Sequence, residues 1–446
     1  MNFSRTTNYM RILLITYYFP PFNSVGAVRT GKFARWLYEQ GHEVRVLTCS
    51  NQPFPKGLSL EIPVEKVTAV PGWSVNAPVE FLLGGRGKVI REGYGTTIAS
   101  NTLIARLGKF YKTLLHWPDG QLGWVGNAIK AGMELLRKEQ YDLIYASSSP
   151  ISSLRVAARL SREAGVPWVA EFRDLWTDNH AYDEPYWRYA IERAWEIRLL
   201  RSVSALVTVS GPLVEKLKRF QKPVWEVRNG YDPEDFLDLP ETSIFSDSSS
   251  QILEIVFTGN VYDAYYDVDT FCKGISLYVS AGRQVRIHVA GRNSTAMKSA
   301  AQRFGVSNLF HFFPQLPRSE ALSMQQHADV LLAFLWNSPD QEGVYSAKIF
   351  EYAGARRPVV AVGAKNDVAL LIESSGLGHV CTEPQQLACI LAELSERKKS
   401  NRTGQNTRDL GYDFTRAAQF ARLMPKLEAI VHSELELTSG LSRSGF

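Results

Sequence analysis

Ile12-Leu13-Leu14-Ile15-Thr16 is a compact apolar run, followed by a turn-rich loop, Pro20-Pro21-Phe22-Asn23-Ser24-Val25-Gly26. Beyond it Val28, Phe33, Trp36 and Leu37 recur on one face of a helical pattern that Gly41 stops, and Val44-Arg45-Val46-Leu47 reads as the next strand. A long irregular interval follows. The rhythm then resumes with strand Leu143–Ala146, helix Ser152–Glu163, strand Pro167–Glu171, helix Ile191–Leu200, strand Ala205–Val209, helix Pro212–Phe220 and strand Val224–Val227. After a break that includes the polar run Ser246-Asp247-Ser248-Ser249-Ser250, a second series places strands at Leu253–Phe257, Val285–Ala290, Val330–Phe334 and Pro358–Val362, with helical segments between them. Strands that are continuously apolar and separated by helices belong to parallel sheets covered on both faces. The pattern therefore predicts two α/β domains, 10–235 and 252–412, joined by a linker at 236–251. A helix at 413–432 and a loose tail at 433–446 follow them. In such sheets ligands gather at the carboxyl ends of the strands.

Composition narrows the picture little further. With 446 residues, 45% of them hydrophobic, the chain has ample material for two cores. A net charge of +5 is too weak for a dedicated nucleic-acid binder. The four cysteines, Cys49, Cys272, Cys381 and Cys389, never approach metal-binding spacing. Reduced thiols, the absence of a long apolar run and a polar start predict a cytoplasmic protein. Thr102–Trp117 sets Leu103, Leu107, Phe110, Tyr111, Leu114 and Leu115 at helical spacing, with Arg106, Lys109 and Lys112 on other flanks. Such a helix suits either weak peripheral contact with the inner, anionic face of a membrane or docking on its own domain.

Several segments carry a resemblance, in the same order along nearly the whole chain. They are Met10–Thr48, Glu171-Phe172-Arg173-Asp174-Leu175-Trp176, Val209-Ser210, Arg228-Asn229-Gly230-Tyr231-Asp232, Phe257-Thr258-Gly259-Asn260 and Val289-Ala290-Gly291. The most telling is Gly343-Val344-Tyr345-Ser346-Ala347-Lys348-Ile349-Phe350-Glu351-Tyr352, followed by Arg357-Pro358-Val359-Val360-Ala361. Together they resemble family 4 glycosyltransferases of the GT-B fold, in the subgroup with a Gly…Lys…Glu-Tyr donor motif. The resemblance implies two Rossmann-like domains facing across a cleft, with a C-terminal helix crossing back to the first. It also implies a nucleotide-diphosphate sugar bound by the second domain, an acceptor held by the first, retention of anomeric configuration, and no cofactor or metal.

Physical chemistry gives the matching residues roles. The helix opening near Ser346 presents backbone N–H groups with about half a positive charge, suited to a pyrophosphate, and Lys348 adds a full charge. Glu351, one turn in, can accept hydrogen bonds from ribose hydroxyls. Gly259, Asn260 and Gly291 end strands where glycine lets a phosphate or sugar approach, and Arg292 follows. On the acceptor side, Gly26 and Arg29 are candidates for a sugar or phosphate, the alternative being a tight turn with one exposed arginine. Ser148 and Ser149 open a helix able to bind anions or hydroxyls. Asp174 or Glu171 could hold acceptor hydroxyls or act as a base, while Arg173 could instead neutralise either carboxylate. Asp174 and Glu351 are the catalytic candidates. Asp267-Val268-Asp269 reads as a helix start rather than a metal site.

The chain departs from the family pattern at three places. Gly343 stands eight positions before Glu351, where the family often has a second glutamate. Ser147-Ser148-Ser149-Pro150 stands where many members have a histidine, and Val261–Tyr266 lacks the usual basic pair. The expected function is sugar transfer from a nucleotide donor to a lipid-linked or polysaccharide acceptor in surface polysaccharide or glycolipid assembly. A non-catalytic scaffold and a sugar-nucleotide epimerase are the alternatives.

Overall fold

The computed structural model describes residues 9–73, 113, 116–180, 182–240, 245, 251–261, 266–291, 294–336, 343–400 and 412–443. The chain forms two compact units. One is Met1–Val227 with Phe420–Phe446, the other Arg228–Gln419.

The first unit holds a seven-stranded parallel sheet in the order β3-β2-β1-β4-β5-β6-β7. Its strands are β1 (Arg11–Thr16), β2 (Glu43–Cys49), β3 (Val67–Val70), β4 (Leu143–Ser148), β5 (Trp168–Phe172), β6 (Ala205–Thr208) and β7 (Val224–Glu226). Ile12 pairs with both Val44 and Leu143, so β1 is central, and it is completely buried from Ile12 to Ile15. That is why its sequence is apolar without alternation. Among the described residues this part also holds helices α1 (Val25–Glu39), α2 (Leu122–Lys138), α3 (Ser152–Ala164), α4 (Tyr186–Leu200) and α5 (Gly211–Leu217).

The second unit has six parallel strands in the order β10-β9-β8-β11-β12-β13. They are β8 (Ile252–Thr258), β9 (Gln284–Ala290), β10 (Phe310–Phe313), β11 (Val330–Phe334), β12 (Val359–Val362) and β13 (Gly378–Cys381). Its helices are α6 (Val268–Ser280), α7 (Thr295–Arg303), α8 (Arg318–His327), α9 (Ala347–Ala355), α10 (Asp367–Ser374) and α11 (Pro384–Lys399). Both sheets reverse their strand order once, between β1 and β4 and between β8 and β11. Each reversal opens a crevice at the carboxyl ends of its two strands, the preferred ligand position of doubly wound sheets.

Two boundaries differ from the sequence-based ones. Arg228–Pro240 sits with the second unit because Tyr231 pairs with Thr415 and Asp232 forms an ion pair with Arg416. The last helix, α12 (Arg416–Arg443), passes Ser433 without a break. Phe420, Leu423, Met424, Leu427 and Val431 on this helix share a core with Phe33, Leu37, Ile12 and Leu14 of the first unit.

Candidate donor and acceptor sites

In the second unit the crevice is built on glycine. Gly259 leaves β8 at φ +126° and Gly291 leaves β9 at φ +149°, conformations that favour glycine. A Cβ on Gly291 would lie 2.2 Å from the carbonyl oxygen of Gly259, and one on Gly259 would lie 2.2 Å from Cε of Lys348. The two strand ends are therefore packed backbone to backbone, and Lys348 occupies the space a side chain at 259 would take. Its Nζ lies 4.6 Å from the Phe257 ring centroid, a cation–π contact. Burial lowers the Lys348 pKa to about 8, against the partial opposition of Glu351. A half-buried ammonium held at this cost is poised to gain from an anion.

Lys348 lies in the first turn of α9, whose N-cap is Ser346. The Ser346 side chain makes no cap hydrogen bond, so the helix start is not closed by its own cap. The recess in front is lined by Phe257, Phe334, Trp336, Val344 and Ser346. One turn on, the Tyr352 hydroxyl donates to the Leu332 carbonyl at 3.1 Å and accepts from the Thr258 N–H at 3.4 Å. It ties β11 to β8 at the switch point. Glu351 faces away from this tie: it accepts from Arg318 at 2.5 Å, and Arg318 also meets Asp235 at 3.0 Å. Burial works against the Arg318 charge, but the two carboxylates more than offset it and raise its pKa.

In the first unit the corresponding crevice contains a buried ion pair. Arg29 of α1 meets Glu171 at the end of β5 at 2.8 Å, and both side chains are buried. Arg29 also donates to the Val227 carbonyl at 2.8 Å. Glu171 accepts from Tyr145 at 3.0 Å and Ser147 at 2.5 Å. Burial alone would raise the Glu171 pKa, but Arg29 and the Ser147 hydroxyl hold it below the ordinary carboxylate value. Arg173 turns back on the β4 loop, its Nε donating to the Ser148 carbonyl at 3.0 Å. Its guanidinium fills the space beside Gly26, where a Cβ would lie 2.1 Å from Nη1.

Next to this loop a pocket of about 360 Å³ is lined by Tyr18, Asp119, Ser149, Trp176, Tyr182 and Glu192, among others. Asp119 accepts from the Ser152 N–H at 2.8 Å and the Ser152 hydroxyl at 2.7 Å, capping α3 from outside the helix. Its pKa is raised by burial despite these bonds. Burial, with Asp119 beside it, pushes the Tyr18 phenol up to about 12. Aromatic faces with hydroxyl and carboxylate acceptors are the surfaces that sugar rings meet.

Two family models cover most of the chain: the glycosyl transferase 4-like domain at residues 26–229 and glycosyl transferases group 1 at residues 253–397. The chain is a GT-B glycosyltransferase. Solved structures show the same fold at low identity. An α,α-trehalose-phosphate synthase (UDP-forming) from Burkholderia vietnamiensis aligns with TM-score 0.59 and 11% identity over 95% of this chain and 100% of that one. HepE from Anabaena, in complex with UDP, aligns with TM-score 0.54 and 15% identity over 97% and 100%. WaaG, a glycosyltransferase involved in lipopolysaccharide biosynthesis, gives TM-score 0.54 and 17% identity over 93% and 99%. No curated protein is significantly similar in sequence.

The glycosyltransferase brings Gly259, Gly291, Ser346 and Lys348 of the expected donor set together, with half-buried Asn260 following Gly259. Arg292 lies outside the described residues, as do most of Thr102–Trp117 and residues 262–265. Glu351, expected at a ribose or in catalysis, is engaged by Arg318 inside the unit. On the acceptor side burial marks three of the expected residues. Arg29, Glu171 and Ser148 are all buried, and each is spent on an internal partner. The space beside Gly26 is filled by the Arg173 guanidinium. Arg173 donates to the carbonyls of Ser148 and Ser149. Ser149 lines the pocket, and Asp174 is exposed in the turn after β5. Asp267 starts α6 as read from the sequence, accepting from the Thr270 N–H at 3.0 Å.

The sequence marks neither Arg318 nor Asp119, and it gives Tyr352 only as the end of the donor motif. Arg318 and Asp119 contact partners 33 residues away in sequence, which no local pattern marks. The geometry at 259 predicts that Gly259→Ala, through lost glycine backbone freedom and a displaced Lys348, lowers stability by about 1 kcal/mol or more. It should also weaken any anion bound by Lys348; calorimetry with a nucleoside diphosphate checks the second effect, thermal unfolding the first.

Proposed function

We propose that this glycosyltransferase transfers a sugar from a nucleotide-diphosphate donor held by the second unit to a glycan or lipid-linked acceptor held by the first. The observation that carries it is the Lys348 ammonium, desolvated, packed on Phe257 in the gap left by Gly259, at the opening of α9. A diphosphate there would meet a full positive charge and the helix's free N–H groups together. HepE, a protein of the same fold, was crystallised with UDP and with UDP-glucose, which supports a uridine donor as the first to try. WaaG, described as acting in lipopolysaccharide biosynthesis, supports a surface-glycan acceptor.

Glu171 and Arg29 are engaged with each other inside the first unit, which supports chemistry that rests on positioning and on stabilising the leaving diphosphate. We read the reaction as retaining, with the departing phosphate taking the acceptor proton, Lys348 holding the charge that develops, and no metal taking part. The test is a thermal-shift panel of nucleoside diphosphates. At ~100 times its dissociation constant a ligand adds ~2.7 kcal/mol to the stability of the state that binds it. One base is expected to raise the unfolding midpoint and to do so less in Lys348→Ala. No shift with any base would overturn the donor reading.

A further inference from the structure

Helix α4, Tyr186–Leu200, is turned inside out. Its buried positions are Arg188, Glu192, Glu196 and Leu200, a stripe at four-residue spacing. Its outward positions include Tyr186 at 83% exposure, Trp187 at 48%, Ile191 at 43% and Trp195 at 40%. A surface helix in water carries these classes the other way round. The inward charges have internal work. Arg188 pairs with Glu192 at 2.7 Å and donates to the Thr113 carbonyl at 2.9 Å. Glu192 also accepts from the Trp176 indole at 3.1 Å and the Tyr182 hydroxyl at 2.9 Å.

The outward face is continuous and aromatic. The Trp117 ring lies 6.1 Å from that of Trp187 and 5.7 Å from that of Trp195, and the Arg155 guanidinium sits 5.6 Å from the Trp195 ring. Exposed charge along the helix and at its end is cationic: Arg198 and Arg201 point outward, while both glutamates of the helix are buried. Large apolar side chains grouped on one exposed stripe mark an interaction surface. Tryptophan and tyrosine with flanking arginine suit the boundary between lipid headgroups and acyl chains, where the ring enters and the cation meets phosphate. Among the described residues no helix is long and apolar enough to cross a membrane, so contact through this face would be peripheral.

We propose that the outward face of α4 docks the protein on an anionic lipid bilayer. Arg188 and Glu192, on the inward side of the same helix, line the pocket of the first unit, so docking would hold that pocket close to the headgroup layer.

The test is cosedimentation of the full chain with vesicles of phosphatidylcholine alone and of phosphatidylcholine mixed equally with phosphatidylglycerol. Binding is expected to the mixed vesicles, to weaken with salt, and to be much lower on phosphatidylcholine alone. The double variant Trp187→Ser/Trp195→Ser should lose on the order of tenfold or more in partition. Arg198→Gln/Arg201→Gln should lose roughly tenfold at low salt and show a flatter salt dependence. All four positions are solvent-facing, and unchanged unfolding midpoints would show that both variants fold. Failure of the wild-type chain to bind mixed vesicles would overturn the proposal, as would undiminished binding by the tryptophan variant. A concentration-dependent dimer abolished by that variant would assign the face to a second copy instead.

Discussion

Substituting Lys348 by alanine is expected to weaken nucleoside-diphosphate binding by about 10- to 100-fold, the worth of one charge-assisted hydrogen bond in a partly desolvated site. The same change should leave the ligand-free protein as stable as before or slightly more so, because the ammonium is held there against its hydration. The pH dependence follows from the lowered pKa. Below about pH 8 the lysine is charged in the folded and unfolded chains alike, and the desolvation cost is fully present. Between about 8 and its ordinary 10.5 the folded chain sheds the proton first, so the stability of the free protein rises with pH over that window, by roughly 3 kcal/mol at most. Nucleotide affinity runs the opposite way, greatest below pH 8 and falling above it by up to about tenfold per unit. Lys348→Arg, which stays charged, should remove that fall. Unfolding and titration across pH 6.5–10 check both signs.

The second large effect belongs to stability. Arg29→Ala leaves the Glu171 carboxylate buried with only hydroxyl partners, and breaking a buried pair in this way costs about 3–5 kcal/mol. The expected result is a marked fall in the unfolding midpoint. Much of that loss should be recovered in Arg29→Met/Glu171→Met, where no charge is left alone. Because Glu171 is held below the ordinary carboxylate pKa, its contribution is present above the unfolded value and lost as pH falls through the folded one. The double variant should therefore be less acid-sensitive than the wild type. An Arg29→Ala protein with an unchanged midpoint and lowered activity would instead mean that Arg29 serves a substrate.

Why Arg29 and Glu171 read as acceptor residues, and proved to be a buried pair, is a matter of distance. They lie 142 residues apart, and each taken locally is a charged residue at a strand end or helix start, where sites gather. Only the parallel register of β1, β4 and β5 brings α1 against the end of β5, and register is not written in either segment. The central strands were legible because burial on both faces demands unbroken apolar runs, as in Ile12–Ile15 and Val330–Phe334. β3, a four-residue edge strand with three half-buried residues and Ala69 exposed, carries no such demand. α2 lay within an interval that gave no rhythm, since part of its buried face is glycine and alanine: Gly123, Ala128 and Gly132. The donor crevice was legible for the opposite reason. Gly259, Gly291 and Lys348 each follow or precede a strong element, and their residue types are restricted by backbone geometry and charge. Glu351 shared that segment, but its partner Arg318 begins a different helix. The reversed polarity of α4 is not legible in the sequence either, because its apolar residues fit a helix at the right spacing and only burial shows which side faces inward.

Sugar transfer by this chain depends first on whether Lys348 binds the donor's diphosphate. Calorimetric titration of UDP into the wild-type protein, Lys348→Ala and Lys348→Arg at pH 7 and pH 9 would decide it. The expected result is binding that is strong in the wild type at pH 7, weaker at pH 9, nearly pH-independent in Lys348→Arg, and reduced about 10- to 100-fold in Lys348→Ala. Equal affinity in the wild type and Lys348→Ala would contradict it.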